Sequence, residues 1–369
     1  MENATRKQPS VAIRDGDVRN ILIVQTAFIG DVILAEPLIA NARLQFPEAN
    51  VDALVIPATA NLLQAHPDIR RVLVYDKRGR DRGLWALIRL IRTLRAARYD
   101  LALVPHRSLR SAFLVFAAGI PARVGFETSA GRWLFNVRVP YRETHEVCRN
   151  LELLAPFGAR PVYQVPRVHC TETDVENAKA AIGPSGRPRV AIAPGSVWAT
   201  KRWPLERFVA LAEKLVNDLD AQIILIGGPG DADLAAPFQQ ALGNRCTNLI
   251  GKLSLRESVA ALRQSPVLVS NDSAPTHLGV AAGCRVVTIF GATVPRFGFY
   301  PYGSQHRVIE TERELACRPC GIHGGRRCPT GTFECMLSIP VERVFNTVKA
   351  LLEETGALQS EPAADEAAE

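Results

Sequence analysis

The chain has 369 residues, 47% of them hydrophobic, with a formal net charge of +7 at pH 7. This length and apolar content exclude a largely disordered chain and predict two domains of ordinary size. The first twenty residues are polar and charged, which excludes a secretory signal, and Asp31 and Glu36 interrupt the longest apolar run. We therefore expect a cytoplasmic protein, and the basic balance favours an anionic partner.

Strands and helices are predicted to alternate along the first half. ILIVQ (21–25) is typical of a buried strand, and residues 31–46 are typical of the helix that follows it. VDALVI, RVLVY and DLALVP are typical of further buried strands, with helical segments between them. This alternation predicts an open parallel sheet covered by helices.

The pattern loosens near residues 140–185 and then starts again. Further strands are predicted at RVAIAPG, QIILIGG, PVLVSN and RVVTIFG. Helices are predicted near 205–217, 231–242 and 255–263, from 274, and over 341–354. The chain is thus predicted to have an α/β fold with two doubly wound, Rossmann-like domains facing a central cleft, where ligands of such folds bind. The predicted divisions are a flexible N-terminus (1–20), domains over 21–180 and 181–355, and a disordered tail (356–369).

Polar residues follow the first predicted strand, in QTAFIGDV. Gly30 would let a ligand approach the backbone closely. Asp31 is either an N-cap or a carboxylate general base that projects into the cleft, and the residues alone leave both interpretations open.

Two loops of the second half could hold a diphosphate. APGSVWATKRWP places Lys201 just before a helix start, although a solvated lysine explains it equally simply. IGGPGD offers Gly228 in a turn that could cradle a phosphate or a ribose, but tight turns need glycine anyway.

SNDSAPTH (270–277) carries more polar groups than a helix start requires. The free amides and the positive end of the helix dipole favour an anion, to which Ser273 and Thr276 would add hydroxyl donors. Asp272 can accept from sugar or ribose hydroxyls, and His277 would lie beside the anion. The alternative is an elaborate cap with His277 as a core residue.

Taken together, these motifs resemble glycosyltransferase family 9, the ADP-heptose:lipopolysaccharide heptosyltransferases, most closely the heptosyltransferase II branch. The similarity extends from about Ile21 to Leu352. It includes GDV, HRSLRSAFLVFAAGIPARVGF (106–126), HEVCRNLELL (145–154), APGS…KRWP and NDSAPTH.

The resemblance implies a GT-B fold and an inverting transfer of heptose from ADP-heptose to the lipid-linked, anionic inner core, with no cofactor required for catalysis. The enzyme would then work in the cytoplasm, with peripheral contact to the inner membrane. Asp31 is the implied base, and Lys201 would stabilise the departing diphosphate. The donor site would comprise Gly30, Ser196, Thr200, Lys201, Gly228, Asp272, Ser273, Ala274, Thr276 and His277.

Arginines of the first half are the candidate acceptor ligands, because guanidinium groups bind phosphate and carboxylate in a bidentate manner. The expected acceptor residues are Arg107, Arg110, Arg123, Arg132 and His145. A second basic row, at Arg89, Arg92, Arg95 and Arg98, is spaced by three as on one side of a helix. This row is most simply a solvated face, and the alternative is contact with an anionic bilayer.

Four cysteines lie close together near the C-terminus: Cys317, Cys320, Cys328 and Cys335. They could form a structural, zinc-type thiolate site, with His323 as a substitute ligand, or remain free or redox-paired thiols. A sugar-nucleotide epimerase and a non-catalytic nucleotide-sugar-binding protein are the competing functions. Nucleic-acid binding would also explain the basic charge, but the sequence contains no recognised nucleic-acid-binding module.

Overall fold

The computed structural model describes residues 18–358. The predicted flexible N-terminus up to residue 17 and the predicted tail from residue 359 lie outside this range. The chain divides into two compact units between His169 and Cys170.

The first unit is a parallel six-stranded sheet with helices. Its strands, in the order β3-β2-β1-β4-β5-β6, all run parallel. Most of their residues are buried, which explains why the sequence shows near-continuous apolar runs rather than alternation. The elements are β1 (Asn20–Val24), α1 (Ile29–Gln45), β2 (Asn50–Val55), α2 (Pro57–Leu63), β3 (Ile69–Val74), α3 (Leu84–Ala96), β4 (Leu101–Val104), α4 (Leu109–Ala117), β5 (Ala122–Phe126), β6 (Val137–Val139) and α5 (Glu146–Leu151).

The second unit repeats this architecture in the order β12-β11-β10-β7-β8-β9, again all parallel. Its closing helix packs against α7, so that helix belongs to this unit. The elements are α6 (Glu172–Ile182), β7 (Arg189–Ala193), α7 (Leu205–Leu219), β8 (Gln222–Leu225), α8 (Ala235–Leu242), β9 (Cys246–Asn248), α9 (Leu255–Leu262), β10 (Val267–Asn271), α10 (Ala274–Ala282), β11 (Arg285–Phe290), β12 (Arg307–Glu310), α11 (Glu334–Leu337) and α12 (Val341–Glu354).

The predicted fold class is confirmed, since both halves are doubly wound α/β units. The sequence did not predict β5, β6, β9 and β12. These strands have three to five residues and include arginines or the polar run Cys246–Asn248, so they lack the apolar signature of a buried strand.

Helix α6 lies in the second unit, whereas the sequence led us to expect that domain only from residue 181. Helix α6 packs against α9. Asp174, in its first turn, accepts a hydrogen bond from Arg256 Nε at 2.9 Å. Thr171 also caps this helix, because its hydroxyl accepts from Asp174 N–H. The cap is visible in the local sequence, whereas the contacts with α9 and Arg256 are not.

A buried carboxylate ties three elements of the first unit together. Asp52 on β2 is fully buried and accepts hydrogen bonds from Arg70, Arg71 and the Tyr99 hydroxyl, the last at 2.6 Å. Burial acts to raise the pKa of Asp52, but these hydrogen bonds outweigh it and hold the pKa below its usual value.

Candidate functional site

Asp31 lies at the carboxyl edge of the first sheet, directly after β1. It is the third residue of α1, and its carboxylate accepts a hydrogen bond from the backbone N–H of Phe28 at 3.1 Å. The carboxylate therefore closes the helix start from inside the first turn, and Gly30 is the second residue of the helix rather than part of the loop.

The electrostatics of Asp31 suit a proton acceptor. Burial raises its pKa to about 6, the negative charge of Glu146 adds to the rise, and hydrogen bonds from Phe28 and the charge of Arg107 oppose it. A carboxylate with this pKa is mostly ionised at pH 7 yet far more basic than an exposed aspartate. This combination is the one expected of a general base.

The two residues whose charges act on Asp31, Glu146 and Arg107, belong to one aromatic and charged group of the first unit. Glu146 is buried and paired with Arg149 at 2.7 Å. The guanidinium carbons of Arg107 and Arg149 lie 4.1 Å and 4.7 Å from the centroid of the Tyr141 ring. These cation–π contacts hold Arg107 in place next to the carboxylate that it influences.

A second polar cluster at the same edge was missed from the sequence. Lys77, after β3, donates to the Thr26 carbonyl at 2.7 Å. The Nδ1 atom of His106, after β4, lies 3.0 Å from the Thr26 hydroxyl and 2.9 Å from that of Ser111. Lys77, two residues after the predicted strand RVLVY, is the sequence signal that points to this cluster.

This cluster carries excess positive charge. Burial lowers the pKa of Lys77, and the neighbouring Arg78 and Arg110 lower it further. Burial together with Lys77 and Arg107 lowers the pKa of His106 to about 4, so this imidazole is neutral at pH 7. Positive charges that lie close enough to lower one another's pKa values are typical of a site that binds an anion.

The other predicted acceptor residues differ in their surroundings. Arg110 and Arg132 are exposed. Arg123 instead donates to the backbone carbonyls of Leu134 and Ile120 and thereby fastens β5 to the segment after it. His145 is buried at the N-cap of α5, where Nδ1 accepts from Val147 N–H. For Arg123 and His145 the geometry supports a positioning role rather than direct contact with an acceptor.

In the second unit, Lys201 and Asp272 form an ion pair at the carboxyl edge of the sheet. Lys201 Nζ lies 2.6 Å from Asp272 Oδ2, which also accepts from the Thr293 hydroxyl at 2.6 Å. Asp272 is buried, and Lys201 has little exposed side-chain surface. The lysine is therefore fixed above β10. The alternative that Lys201 is a solvated loop lysine does not fit this contact.

The preceding asparagine holds the surrounding loops. Asn271 Oδ1 accepts from Trp203 N–H at 2.9 Å, and Nδ2 donates to the Pro194 carbonyl at 2.8 Å. The hydroxyl of Ser273, the N-cap residue of α10, lies 3.4 Å from the Gly195 carbonyl. The α10 start and the loop after β7 are thus joined into one rigid platform.

Three predicted donor residues are engaged within the protein instead. The Thr276 hydroxyl is fully buried between Ser270 and Thr288. Its own N–H donates to the Ser273 carbonyl. Thr200 is buried and exchanges hydrogen bonds with the backbone of Gly325. We therefore revise the direct donor contacts expected of both threonine side chains. Ser196 is also buried, and its hydroxyl accepts from Trp198 N–H at 3.4 Å.

His277 and Ala274 keep the predicted places, in the first two turns of α10. Ala274 is its first residue and His277 is buried one turn further on. His277 is thus next to the helix start, consistent with both interpretations that the sequence left open.

A further carboxylate lies between the ends of β7 and β8. Asp231 Oδ2 accepts from Gly228 N–H at 3.1 Å. A Cβ atom on Gly195 would overlap the Asp231 carboxylate, so only glycine allows this approach. Gly228 therefore positions Asp231 rather than merely turning the chain, and Asp231 can accept from a ribose.

Three of the four C-terminal cysteines, Cys317, Cys320 and Cys328, lie in a segment between β12 and α11 that has little regular structure, whereas Cys335 is buried within α11. All four are free thiols. Cys328 Sγ accepts from Phe333 N–H at 3.4 Å. Although burial acts to raise its pKa, hydrogen bonds from Thr330, Phe333 and Gly331 lower it to about 7. A thiolate is thus stabilised at one of the four positions.

Within residues 18–358, one group of three candidate ligand atoms lies within 4.8 Å of one another, formed by Glu36, His66 and His169. The cysteines are not in it, so the cysteine metal site stays a prediction. His66 Nδ1 accepts from Asp68 N–H, which leaves the ring proton of the neutral imidazole on Nε2, 3.2 Å from Glu36 Oε1. A metal would need the lone pair of that same nitrogen, so a hydrogen bond explains the group better.

Over residues 18–358, helices reach neither the length nor the apolarity that crossing a bilayer demands.

Comparison with known proteins agrees with this geometry. The model of glycosyltransferase family 9 (heptosyltransferase) matches residues 87–322. The chain is 27% identical to lipooligosaccharide heptosyltransferase 2 of Haemophilus influenzae over 75% of this chain and 85% of that protein. It is 28% identical to lipopolysaccharide heptosyltransferase 3 of Escherichia coli over 72% and 80%.

Among solved structures, ADP-heptose lipopolysaccharide heptosyltransferase II of E. coli superposes with a TM-score of 0.74 at 25% identity. The match covers 91% of this chain and 99% of that one. The family model covers well over half of the chain, and the fold agrees with it. The chain therefore belongs to glycosyltransferase family 9, the heptosyltransferases, and is a glycosyltransferase.

Proposed function

We propose that this enzyme transfers a heptose from ADP-heptose to the inner core of lipopolysaccharide, adding the second heptose to heptosyl-Kdo-lipid A. The observation that carries the proposal is the division of chemistry between the units. A carboxylate with a pKa of about 6 stands in the first unit, and a lysine held by a buried aspartate stands in the second. The similarity to heptosyltransferases 2 and 3 supports a role in building the lipopolysaccharide core.

The second unit holds the donor in this proposal. The diphosphate lies at the N-terminus of α10, where the amides of Ser273 and Ala274 and the positive end of the helix dipole favour an anion. Lys201 exchanges its contact with Asp272 for the diphosphate and stabilises the negative charge that develops as ADP leaves. Asp231 accepts from the ribose, and Asp272 accepts from a hydroxyl of the sugar.

The first unit holds the acceptor. Asp31 removes the proton from the attacking hydroxyl, and the oxygen displaces ADP in line, so that the anomeric configuration inverts. Lys77, Arg107 and Arg110 bind the anionic groups of the inner core. The charge of the diphosphate is neutralised by Lys201 and the helix terminus, so this mechanism uses no metal. The reaction is then placed at the cytoplasmic face of the inner membrane, where a lipid-linked acceptor resides.

Measurement of ADP release tests the proposal. We expect release from ADP-heptose only when heptosyl-Kdo-lipid A is present, and its loss in Asp31→Ala with unchanged ADP affinity. Glu127→Gln, which alters an exposed carboxylate after β5, serves as the matched control and should retain full activity. Near-normal turnover in Asp31→Ala would refute the base assignment.

Transfer of the third heptose is the second candidate, because heptosyltransferase 3 is as similar to the chain as heptosyltransferase 2. Acceptors with no, one or two heptoses, compared by kcat/KM, separate these activities. Conversion of the donor without an acceptor would instead indicate an epimerase. Tight binding of ADP-heptose with no ADP release on any acceptor would indicate a binding protein.

A further inference from the structure

The basic charge of the chain is concentrated in one stretch of the first unit. Residues 77–134 contain twelve Lys or Arg residues against three Asp or Glu residues, an excess larger than the +7 of the entire chain. Because the remainder is slightly acidic, the high pI reflects a local surface rather than a uniform property.

Large apolar side chains are exposed on the same stretch. Trp85, in the first turn of α3, is 79% exposed, and Trp133 is 63% exposed. On α4, Leu109, Phe113 and Phe116 are also exposed. Their spacing of four and three places them on one side of the helix, whereas Ala112 and Val115 face the core.

The elements that carry these residues are neighbours in the fold. Helices α3 and α4 are in contact, and α4 contacts the 3-10 turn Arg132–Leu134. Arg95, at the end of α3, donates to the Ala117 carbonyl at the end of α4, so the two helices are held together there. Both helices begin at the carboxyl edge of the sheet, which places Trp85 and Leu109 at the edge that carries Asp31 and His106.

Exposed arginines border these apolar side chains. The bordering guanidinium groups are those of Arg78, Arg80, Arg82, Arg89, Arg92, Arg110 and Arg132. Two acidic groups in the loop before α3 are already engaged. Asp76 accepts from the N–H groups of Gly79 and Arg80, and Asp81 accepts from Asp76 N–H. Asp81 also pairs with Arg80, with Nε 3.5 Å from Oδ1. Because residues 77–134 carry only three acidic groups against twelve basic ones, the stretch keeps an excess of positive charge.

We propose that this aromatic–arginine surface, formed by the first turn of α3, the exposed side of α4 and the turn 132–134, docks on a bilayer that contains anionic lipid. Tryptophan and phenylalanine partition into the interfacial region, and arginines are attracted to anionic headgroups. A second copy of this chain fits the surface poorly, because self-association would bring two basic patches together.

The arrangement also explains the place of the acceptor cluster. A surface that rests on lipid at the carboxyl edge of the first sheet would present Lys77, Arg107 and Arg110 to anionic groups just above the headgroups. Binding to the bilayer needs no turnover, so its failure would leave the proposed transferase function untouched.

Vesicle sedimentation tests the surface directly. The full chain is incubated with vesicles of phosphatidylcholine alone or with 30% phosphatidylglycerol added. We expect binding chiefly to the anionic vesicles and a steep loss of binding with added salt. Arg89→Gln/Arg92→Gln should weaken this binding about 30-fold, at about fivefold per arginine. Trp85→Ala/Trp133→Ala should weaken it at least tenfold.

The matched control is Arg160→Gln/Val162→Ala. Both residues are exposed in the first unit, and Val162 contacts Asn41, well along α1 from the carboxyl edge. This variant should bind vesicles like the wild type. Melting temperature and ADP affinity verify that each variant is folded.

Brominated lipids provide a measurement on the unaltered protein. Bromine in the upper acyl chain should quench tryptophan emission, and Trp85→Phe/Trp133→Phe should abolish that quenching although Trp198 and Trp203 remain. Equal binding to neutral and anionic vesicles, absence of binding, or unchanged binding in either double variant would overturn the proposal. Salt-insensitive self-association or capture of an acidic protein without lipid binding would also overturn it.

Discussion

The pH dependence of the reaction follows from the environment of Asp31. Burial and Glu146 raise its pKa from 3.8 to about 6. A base with this pKa is about 90% ionised at pH 7 and about 10% ionised at pH 5, whereas an unshifted aspartate would still be about 95% ionised at pH 5. We therefore expect kcat/KM to fall roughly tenfold between pH 7 and pH 5, on a limb with a midpoint near 6.

The assay is ADP release under subsaturating substrate, with folding at each pH checked by circular dichroism. Arg107→Gln removes a positive charge that opposes the rise and should move the midpoint upward. Asp31→Asn should lower kcat/KM by about 10²–10⁴-fold, the usual contribution of a general base. A rate that stays flat to pH 5 in folded enzyme would refute the reasoning.

The same shift has a cost in stability. The pKa of Asp31 is higher in the folded protein than in the unfolded chain, so ionisation of Asp31 opposes folding. The protonated carboxyl group stabilises the fold at low pH, and this stabilisation is lost as the pH rises through 6. A shift of about two pKa units corresponds to at most about 3 kcal/mol. Asp31→Asn should thus unfold at higher urea than the wild type at pH 7, with the difference vanishing near pH 4. A less stable variant at pH 7 would contradict the assigned cause.

Three further predictions concern other residues. Lys201→Ala should weaken ADP binding about 10- to 100-fold by calorimetry, because a charged hydrogen-bond donor to the diphosphate is lost; unchanged affinity would remove Lys201 from the donor site. Asp52→Asn should lower the free energy of unfolding by about 2–3 kcal/mol at pH 7. Because the folded pKa of Asp52 is depressed, the wild type should lose this contribution only as the pH falls below about 4 in urea titrations. Cys328, with a pKa of about 7, should be alkylated by iodoacetamide far faster than buried Cys284, whose pKa burial raises to about 12. Mass spectrometry reads this order, and protection of Cys328 that a chelator removes would instead show metal ligation.

The sequence was informative where apolar periodicity and loop chemistry coincide. The sequence predicts Asp31 and Lys201 as site residues because each follows a strongly apolar strand, and the structure places both at the carboxyl edges of the sheets. Asp272 was identified for the same reason. These positions follow from the topology of a parallel sheet, which the alternation of strands and helices already specifies.

Side-chain direction could not be predicted in the same way. Thr276 lies within the same motif as Asp272, yet its hydroxyl faces the interior and satisfies Ser270 and Thr288. Arg123 is a residue type that often binds anions, but its guanidinium group donates to backbone carbonyls instead. The direction of a polar side chain depends on which backbone and side-chain groups of distant segments need a hydrogen-bond partner. A single sequence does not reveal these groups.

The pairing of Lys201 with Asp272 also bears on how the donor site is prepared. The contact of 2.6 Å with Asp272 holds the Lys201 ammonium group in one orientation. Because Thr293 also donates to Asp272, the carboxylate would keep a partner if the lysine turned to the diphosphate, as the proposed mechanism requires. Asn271 ties the neighbouring loops to the end of β10 through Trp203 and Pro194. The electrostatic stabilisation is thus built during folding, and little reorganisation is needed when the glycosidic bond to ADP breaks.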